Sequence, residues 1–542
     1  MKIDDLYKDI NKEEFYIGQV SLVSSEYSYI QAENLAVLNP RIINRSQIVP
    51  NTVNYLVIID NIQGLFIGEV VKAEVKNNNT IHTAMIRDEK KKVFPQLEIK
   101  LLGILKEKVL TFTGAKNVGL SDKAYLASKE VVKRAINSLD SFLINNENRN
   151  PLKEIGTVKS LGEELPFNID PNSLFNRHLL IVGATNSGKS TSSLKILEEY
   201  NKIGKKFILI DPTGEYRDSF KQFKKVRKLK LGEDTTVNPG YVNMRQWEML
   251  FQTNNESQAP ALDDAIRELK YLYPGQEVFK KEGKAFSEIQ DELIKIRNQE
   301  DNGAFDLRLL SKQIRADSVK IDTKWNSPTQ GKYIFDSFKY NANEWLIEKV
   351  EHIQTVSEIN KFFTNDKGKD LFTKLNDFIT DETSLYIDAS LISVTHIVGA
   401  TIIELISEYL FNHKENKKEN KAFILCIDEA HRYLLNNSFD NIGLVNIARE
   451  GRKKGIFLFL TTQSPKDIPP IILSQIGTVI IHRLTNSEDI NIVRNYLTRD
   501  SIGQISSLNS GEAIISSINL IGNVLIKFNR SQLDHYNKTQ LL

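Results

Sequence analysis

The chain of 542 residues contains a single cysteine, Cys426. An intrachain disulfide framework and a cysteine-rich zinc site are therefore excluded. No stretch reaches the roughly 18 uninterrupted apolar residues that a membrane span needs. The most apolar segment, Ile397 to Leu410, is broken by Glu404 and Glu408. The opening MKIDDLYKDINKEEF is charged and lacks the apolar run of a secretory leader. These absences predict a soluble, cytoplasmic protein with no membrane partner. An excess of one charge is missing too: 71 Lys and Arg stand against 69 Asp and Glu, for a net charge of +2. The global field is weak, so any contact with nucleic acid must come from a local patch. No internal repeat at a fixed period is present.

What remains is the composition of a folded protein, 41% hydrophobic and 26% charged. Its length is too great for one core and predicts two to four domains. Up to about residue 110 the chain carries short β-branched runs, at Ile17–Leu22, Tyr55–Ile59 and Phe66–Val75, separated by turn residues. Such strands predict a small β-barrel, with a generic β-subdomain as the alternative. Apolar spacing from Val131 to Leu143 predicts a helix over roughly 120–146, with Ser121 as its N-cap. Gly156 and Pro166 then mark loops leading into a new domain.

From Arg177 the pattern alternates strand and helix, which predicts an α/β domain with a parallel sheet. Its candidate strands are Leu179–Val182, Lys206–Ile210, Ser384–Ile387, Phe423–Ile427, Ile456–Thr461 and Thr478–Ile481. Most are continuous apolar runs, as expected of strands covered on both faces. Residues 236–380 break this rhythm and read as a helical insertion. The tract His413–Lys421 reads as a solvated loop. Ala513–Ser516 and Val524–Phe528 are two closing strands.

The strongest chemical signal is Gly183-Ala184-Thr185-Asn186-Ser187-Gly188-Lys189-Ser190-Thr191, which fits G-x-x-x-x-G-K-[ST] between an apolar strand and an amphipathic helix. Glycines let the backbone curl its N–H groups around phosphate oxygens, and the helix presents its positive end to the same anion. Lys189 is expected at the β- and γ-phosphates of ATP, and Ser190 on Mg²⁺. The run Phe423–Ile427 ends in Asp428 and Glu429. Asp428 is the candidate second Mg²⁺ ligand, and Glu429 the candidate that polarises the attacking water. Asp211 and Glu215, in Asp211-Pro-Thr-Gly-Glu215, form either a structural turn or a catalytic accessory. Gln463 follows a strand and is a candidate γ-phosphate sensor; a helix-capping loop is the alternative. Arg449 and Arg452, then Arg483, are candidates for an arginine acting from a neighbouring subunit. The alternative is a basic helix end answering its own dipole. Cys426, inside the acidic strand, reads as a core residue.

Taken in order, LLIVGATNSGKST, ILIDPTGEY, ILCIDEAHRYL and NIAREGRKKGIFLFLTTQSPKDIPPIILSQIGTVIIHRLTN resemble the HerA family of the FtsK–HerA branch of P-loop ATPases. Ile17-Gly-Gln-Val is similar to the start of that family's HAS-barrel. The resemblance implies a RecA-like ATPase sheet with a helical insertion, preceded by a small N-terminal β-barrel. It divides the chain into a HAS-like barrel (1–115), a helical linker (116–155), the ATPase core (156–235 and 381–510), the insertion (236–380) and C-terminal strands with a tail (511–542). It further implies ATP and Mg²⁺ as cofactors, a homo-hexameric ring and duplex DNA as the track. A nuclease of the NurA kind, or a sirtuin-like or nuclease effector of anti-phage defence, is the implied partner. Lys189 and Ser190 would bind nucleotide, Asp428 and Glu429 would form Walker B, Gln463 would be the sensor, and the trans arginine would fall at Arg449 or Arg452. Ser464 departs from the family, where many relatives carry arginine. Two other readings stand beside this one: an ATP-switched scaffold ring that activates an effector, and a coupling ATPase of a secretion or conjugation machine.

Overall fold

The structure is a computed structural model, and it describes every residue except 1–2, 8–9, 44–45, 51–52, 77–80, 83–85, 88, 107–108, 145–149, 161–162, 222, 224, 276, 299–302, 365–367, 392–395, 415–420, 435–441 and 534–542. Most of the tract His413–Lys421 and the tail beyond Leu533 thus lie outside the described residues. The chain divides into two compact units. One is residues 1–205 with 461–466 and 476–533; the other, among the described residues, is 206–460 with 467–475. Its architecture is mixed α/β, as expected from the alternating pattern.

The first unit opens with the barrel. Tyr16–Val23 pairs with Ser28–Ala32 on one side and Lys123–Leu126 on the other. From Lys123–Leu126 the order continues through Tyr55–Asn61, Gly64–Glu74 and Gln96–Lys106, which returns to Ser28–Ala32. All six strands pair antiparallel into a closed ring, and the short strand Val109–Thr111 adds to the end of Gln96–Lys106 outside it. Ile17, Ile30, Val57, Ile59, Phe66 and Ile99 are fully buried inside this unit, and Ile58 and Ile67 between them are buried as well, so these strands are covered on both faces.

The predicted helix is shorter than its pattern suggests. Lys123–Leu126 is the strand that completes the barrel, and the helix spans Lys129–Asn137. Its cap is Ser128, whose hydroxyl accepts from Val131 N, whereas Ser121 sits in a left-handed turn at φ 68°. Ala-Tyr-Leu at 124–126 fits both periods, and pairing on both edges decides for strand.

Gly156 and Pro166, read as loop markers, lie in an antiparallel hairpin, Leu152–Ser160 with Glu163–Ile169. A Cβ at Gly156 would stand 2.6 Å from the Lys527 carbonyl, so close approach of Val524–Phe528 explains the glycine. Pro166 is tolerated because its strand is the outermost of the sheet. Val524–Phe528 pairs in turn with Glu512–Ser517, which pairs with Ile476–Ile481. Ile476–Ile481 runs parallel to His178–Val182.

The second unit is a parallel sheet in the order Ile456–Thr462, Phe423–Ile427, Lys206–Asp211, Ser384–Asp388, Val226–Lys230. The two last residues of the first strand, Thr461 and Thr462, group with the first unit. Val226–Lys230, Val-Arg-Lys-Leu-Lys, is mostly basic without a clean period of two and was not legible as a strand. Between it and Ser384 runs the helical insertion, with helices including Met244–Phe251, Gln258–Leu272, Ser337–Thr355 and Leu371–Thr380. This segment has an aromatic centre of its own. Trp247 is fully buried, 5.6 Å from Phe251, 5.9 Å from Phe305 and 5.4 Å from Phe363 between ring centroids. Among the described residues no helix is long and apolar enough to cross a membrane.

Candidate nucleotide-binding site

The loop after His178–Val182 owes its position to burial. All five residues of that strand are buried, each large apolar side chain stabilising the sheet by about 1.5–3 kcal/mol. The chain leaves the strand at Gly183 and re-forms as a helix at Lys189–Lys202. Two residues between them take left-handed geometry: Asn186 at φ 61° and Gly188 at φ 113°. Asparagine tolerates that region, whereas the second position requires glycine. A Cβ there would also strike the Gly511 backbone at 2.8 Å.

Lys189 is buried, and its Nζ donates to the Gly183 carbonyl at 2.9 Å and the Ala184 carbonyl at 3.4 Å. The ammonium is thus held at the mouth of the curl. Ser187 Oγ is buried without a hydrogen-bond partner, 2.5 Å from where a Gly183 Cβ would stand. An orphaned hydroxyl, a fixed cation and a helix N-terminus in one loop fit an anionic phosphate chain. Ser190 and Thr191, half-buried, begin the helix; Thr185 and Asn186 are exposed.

Gln463 reaches this loop: Thr185 Oγ1 donates to its Oε1 at 2.7 Å. Ser464 turns aside, its N–H and carbonyl both engaged by the Thr462 hydroxyl. Arg483 touches the loop through its backbone, with Ala184 N donating to its carbonyl at 2.9 Å, while its side chain is exposed.

In the second unit, Asp428 and Glu429 end the strand Phe423–Ile427. Asp428 is 6% exposed, and its N–H donates to the Ile210 carbonyl at 3.1 Å. Glu429 is half-buried in the left-handed region, φ 45° and ψ 51°, at a cost of about 1 kcal/mol for a residue with a Cβ. Such strain concentrates at working sites. His431 Nδ1 lies 3.4 Å from its Oε2. Cys426 is buried in the strand, and burial pushes its thiol well above the usual range, which makes it inert.

Asp211 is fully buried and saturated. Oδ1 accepts from Thr213 N, Thr213 Oγ1 and Gly214 N, and Oδ2 accepts from Tyr216 N and the Tyr386 hydroxyl. Of the two readings left open, the geometry favours the structural turn. Glu215 is half-buried in that turn. Arg217 braces its far side through Asp388 Oδ2 at 2.8 Å.

Arg449 and Arg452 project from a helical run between Ile442 and Lys454 that widens to a π-turn at Ile447–Gly451. Both side chains are exposed. A π-turn re-aims the side chains around it, and such turns recur at functional sites.

Two family models cover this part of the chain. "Helicase HerA, central domain" matches residues 153–407, and "Helicase HerA-like C-terminal" matches residues 383–527. Together they span more than half of the sequence. The chain belongs to the HerA family. Among relatives, the "DNA double-strand break repair helicase HerA" of Saccharolobus solfataricus is 24% identical over 376 residues, covering 67% of this chain and 65% of that one. The protein of the same name from Sulfurisphaera tokodaii is 26% identical over 401 residues, covering 71% and 70%. The match therefore spans about two thirds of these HerA helicases. A solved structure of VirB4 from Thermoanaerobacter pseudethanolicus is similar at 12% identity and a TM-score of 0.49, covering 72% of this chain and 98% of that one.

The phosphate-loop and acidic-strand motifs do not include three residues packed against the loop, although one of them, His482, lies within the last HerA-like run. His482, Ser510 and Gly511 all touch it. The only sequence signal is a histidine closing an apolar strand and a glycine opening another, and neither belongs to a phosphate-binding pattern.

Proposed function

We propose that this chain is an ATP-hydrolysing motor of the HerA kind that moves along duplex DNA. The observation that carries the reading is the loop Gly183–Thr191, with its buried lysine, its orphaned serine hydroxyl and Gln463 joined to Thr185. MgATP, when bound, supplies the phosphoanhydride bond whose cleavage drives movement. Gly183–Thr191 would hold its phosphates, and Ser190 with Asp428 its magnesium ion. Lys189 presents a fixed positive charge where phosphate charge accumulates. Glu429 orients and deprotonates water, and Gln463 reports the state of the loop to its own strand. Arg449 or Arg452 completes a neighbouring subunit's site, which requires a ring, and a hexamer suits this family. The partner is a nuclease, or an effector such as a sirtuin-like NAD-hydrolysing protein in anti-phage defence.

One observation favours a second reading. The net charge of +2 gives little general attraction to DNA, which suits a ring that organises an effector and uses ATP as an assembly switch.

The nucleotide site is tested by Lys189→Ala. The expected outcome is loss of ATP turnover by a factor on the order of 10² or more, since a preorganised charge is removed. Turnover within a few-fold of the wild type would overturn the assignment.

A further inference from the structure

The loop that takes phosphates is gripped from outside its own motif. Ser510 Oγ donates to the Asn186 carbonyl at 3.0 Å, and Gly511 N donates to the Ser187 carbonyl at 2.9 Å. Both donors precede the strand Glu512–Ser517. Behind the loop stands His482, fully buried, its Cβ 2.6 Å from where a Cβ on Gly183 would lie. Its Nδ1 is 2.9 Å from the Glu512 carbonyl and its Nε2 2.9 Å from Ser192 Oγ, in the first turn of the loop helix. A carbonyl can only accept, so Nδ1 carries the proton, and Nε2 of the neutral ring faces the Ser192 hydroxyl, whose one proton is shared with the Lys189 carbonyl at 2.8 Å. The imidazole therefore ties the loop helix to the same turn that holds the two carbonyls.

This grip has a consequence for the loop's shape. In a trans peptide the C=O and the following N–H point in opposite directions. Anchoring the carbonyls of Asn186 and Ser187 outward turns the N–H groups of Ser187 and Gly188 inward. Ser187 N accordingly donates across the loop to the Ala184 carbonyl at 3.2 Å.

We propose that His482 and the Ser510–Glu512 turn form a clasp that holds the phosphate loop in its nucleotide-accepting shape, with His482 and Ser510 as positioning residues. The proposal rests on the reading of Gly183–Thr191 as a nucleotide site. Burial supports it: His482 is pushed down to about 4, first by desolvation and then by the Lys189 charge, against the pull of the Glu512 and Ser187 carbonyls. The imidazole is neutral near pH 7 and keeps one donor and one acceptor.

The test is amide hydrogen exchange of the full, nucleotide-free chain, read alongside ATP kinetics. In His482→Ala the Gly511 and Ser187 amides should exchange faster by a factor on the order of ten, while amides of Lys206–Asp211 and Phe423–Ile427 stay unchanged. His482→Asn keeps a donor toward the Glu512 carbonyl and should restore most of the protection. Ser510→Ala removes one exposed hydroxyl and should show the same local effect more weakly, which keeps the test intact if His482→Ala does not fold. In both variants KM for ATP should rise more than kcat falls. Unchanged exchange at Gly511 in both variants would overturn the clasp. So would uniform acceleration across the first unit, or faster local exchange with an unaltered KM. If the wild type hydrolyses no ATP, the nucleotide reading fails, while the exchange result still decides whether the clasp exists.

Discussion

His482 and Asp211 are both fully buried polar residues, and burial makes different demands on each. His482 is neutral, with a folded-state value of about 4 against an ordinary 6.5. The folded value is the lower one, so the unfolded chain takes up the proton first as the pH drops. Stability from this residue is complete above about pH 6.5 and is lost as the pH falls toward 4, by about 3 kcal/mol in all. Urea unfolding of the wild type and His482→Asn at pH 7.0 and 4.5 checks this. The wild type should lose more stability than the variant over that interval; parallel losses would contradict the assignment. Asp211 accepts from four donors on its turn and from the Tyr386 hydroxyl on the neighbouring strand. Asp211→Ala strands those donors and should cost about 3 kcal/mol, read as a lower Tm. A variant with unchanged Tm and lost turnover would instead make Asp211 a catalytic group.

At the scale of elements, legibility followed burial. Phe423–Ile427 and Ile456–Thr462 are covered on both faces, so their apolar runs announced strands within a residue of their true ends. The phosphate loop was legible because its chemistry requires fixed residue types at fixed spacing. Glu429 followed from the strand it terminates. Val226–Lys230 was hidden because it lies at the sheet's margin, paired on one side with Ser384–Asp388, and carries lysines and an arginine there. Lys123–Leu126 was hidden by length: four residues fit either period, and only pairing with Tyr16–Val23 and Tyr55–Asn61 makes them a strand. The hairpin through Gly156 and Pro166 was hidden because both residues usually break strands, and the tolerance comes from partners distant in sequence. The same is true of His482 and Ser510, whose contacts with the loop bridge 290 and 324 residues.

At the scale of the whole molecule, the account requires more than one chain. Arg449 and Arg452 are exposed on the run that follows Ile442, and the proposed action in trans needs one of them to reach a neighbouring chain. Arg449→Ala and Arg452→Ala should each leave ATP affinity near normal, and the one acting in trans should lower turnover by about 10³-fold or more. Mixing that variant with Lys189→Ala should restore part of the activity, because intact sites then form where an unaltered loop meets an unaltered arginine. Mixtures no more active than their components would contradict action in trans.

Whether DNA is the track of this motor is decided by ATP hydrolysis of the purified chain with and without linear duplex DNA at low salt. Turnover should rise with duplex DNA and fall back as salt is added, since cationic contacts to phosphates displace counterions. Hydrolysis indifferent to duplex DNA at every salt concentration would contradict the motor and leave the effector-organising ring as the reading to pursue.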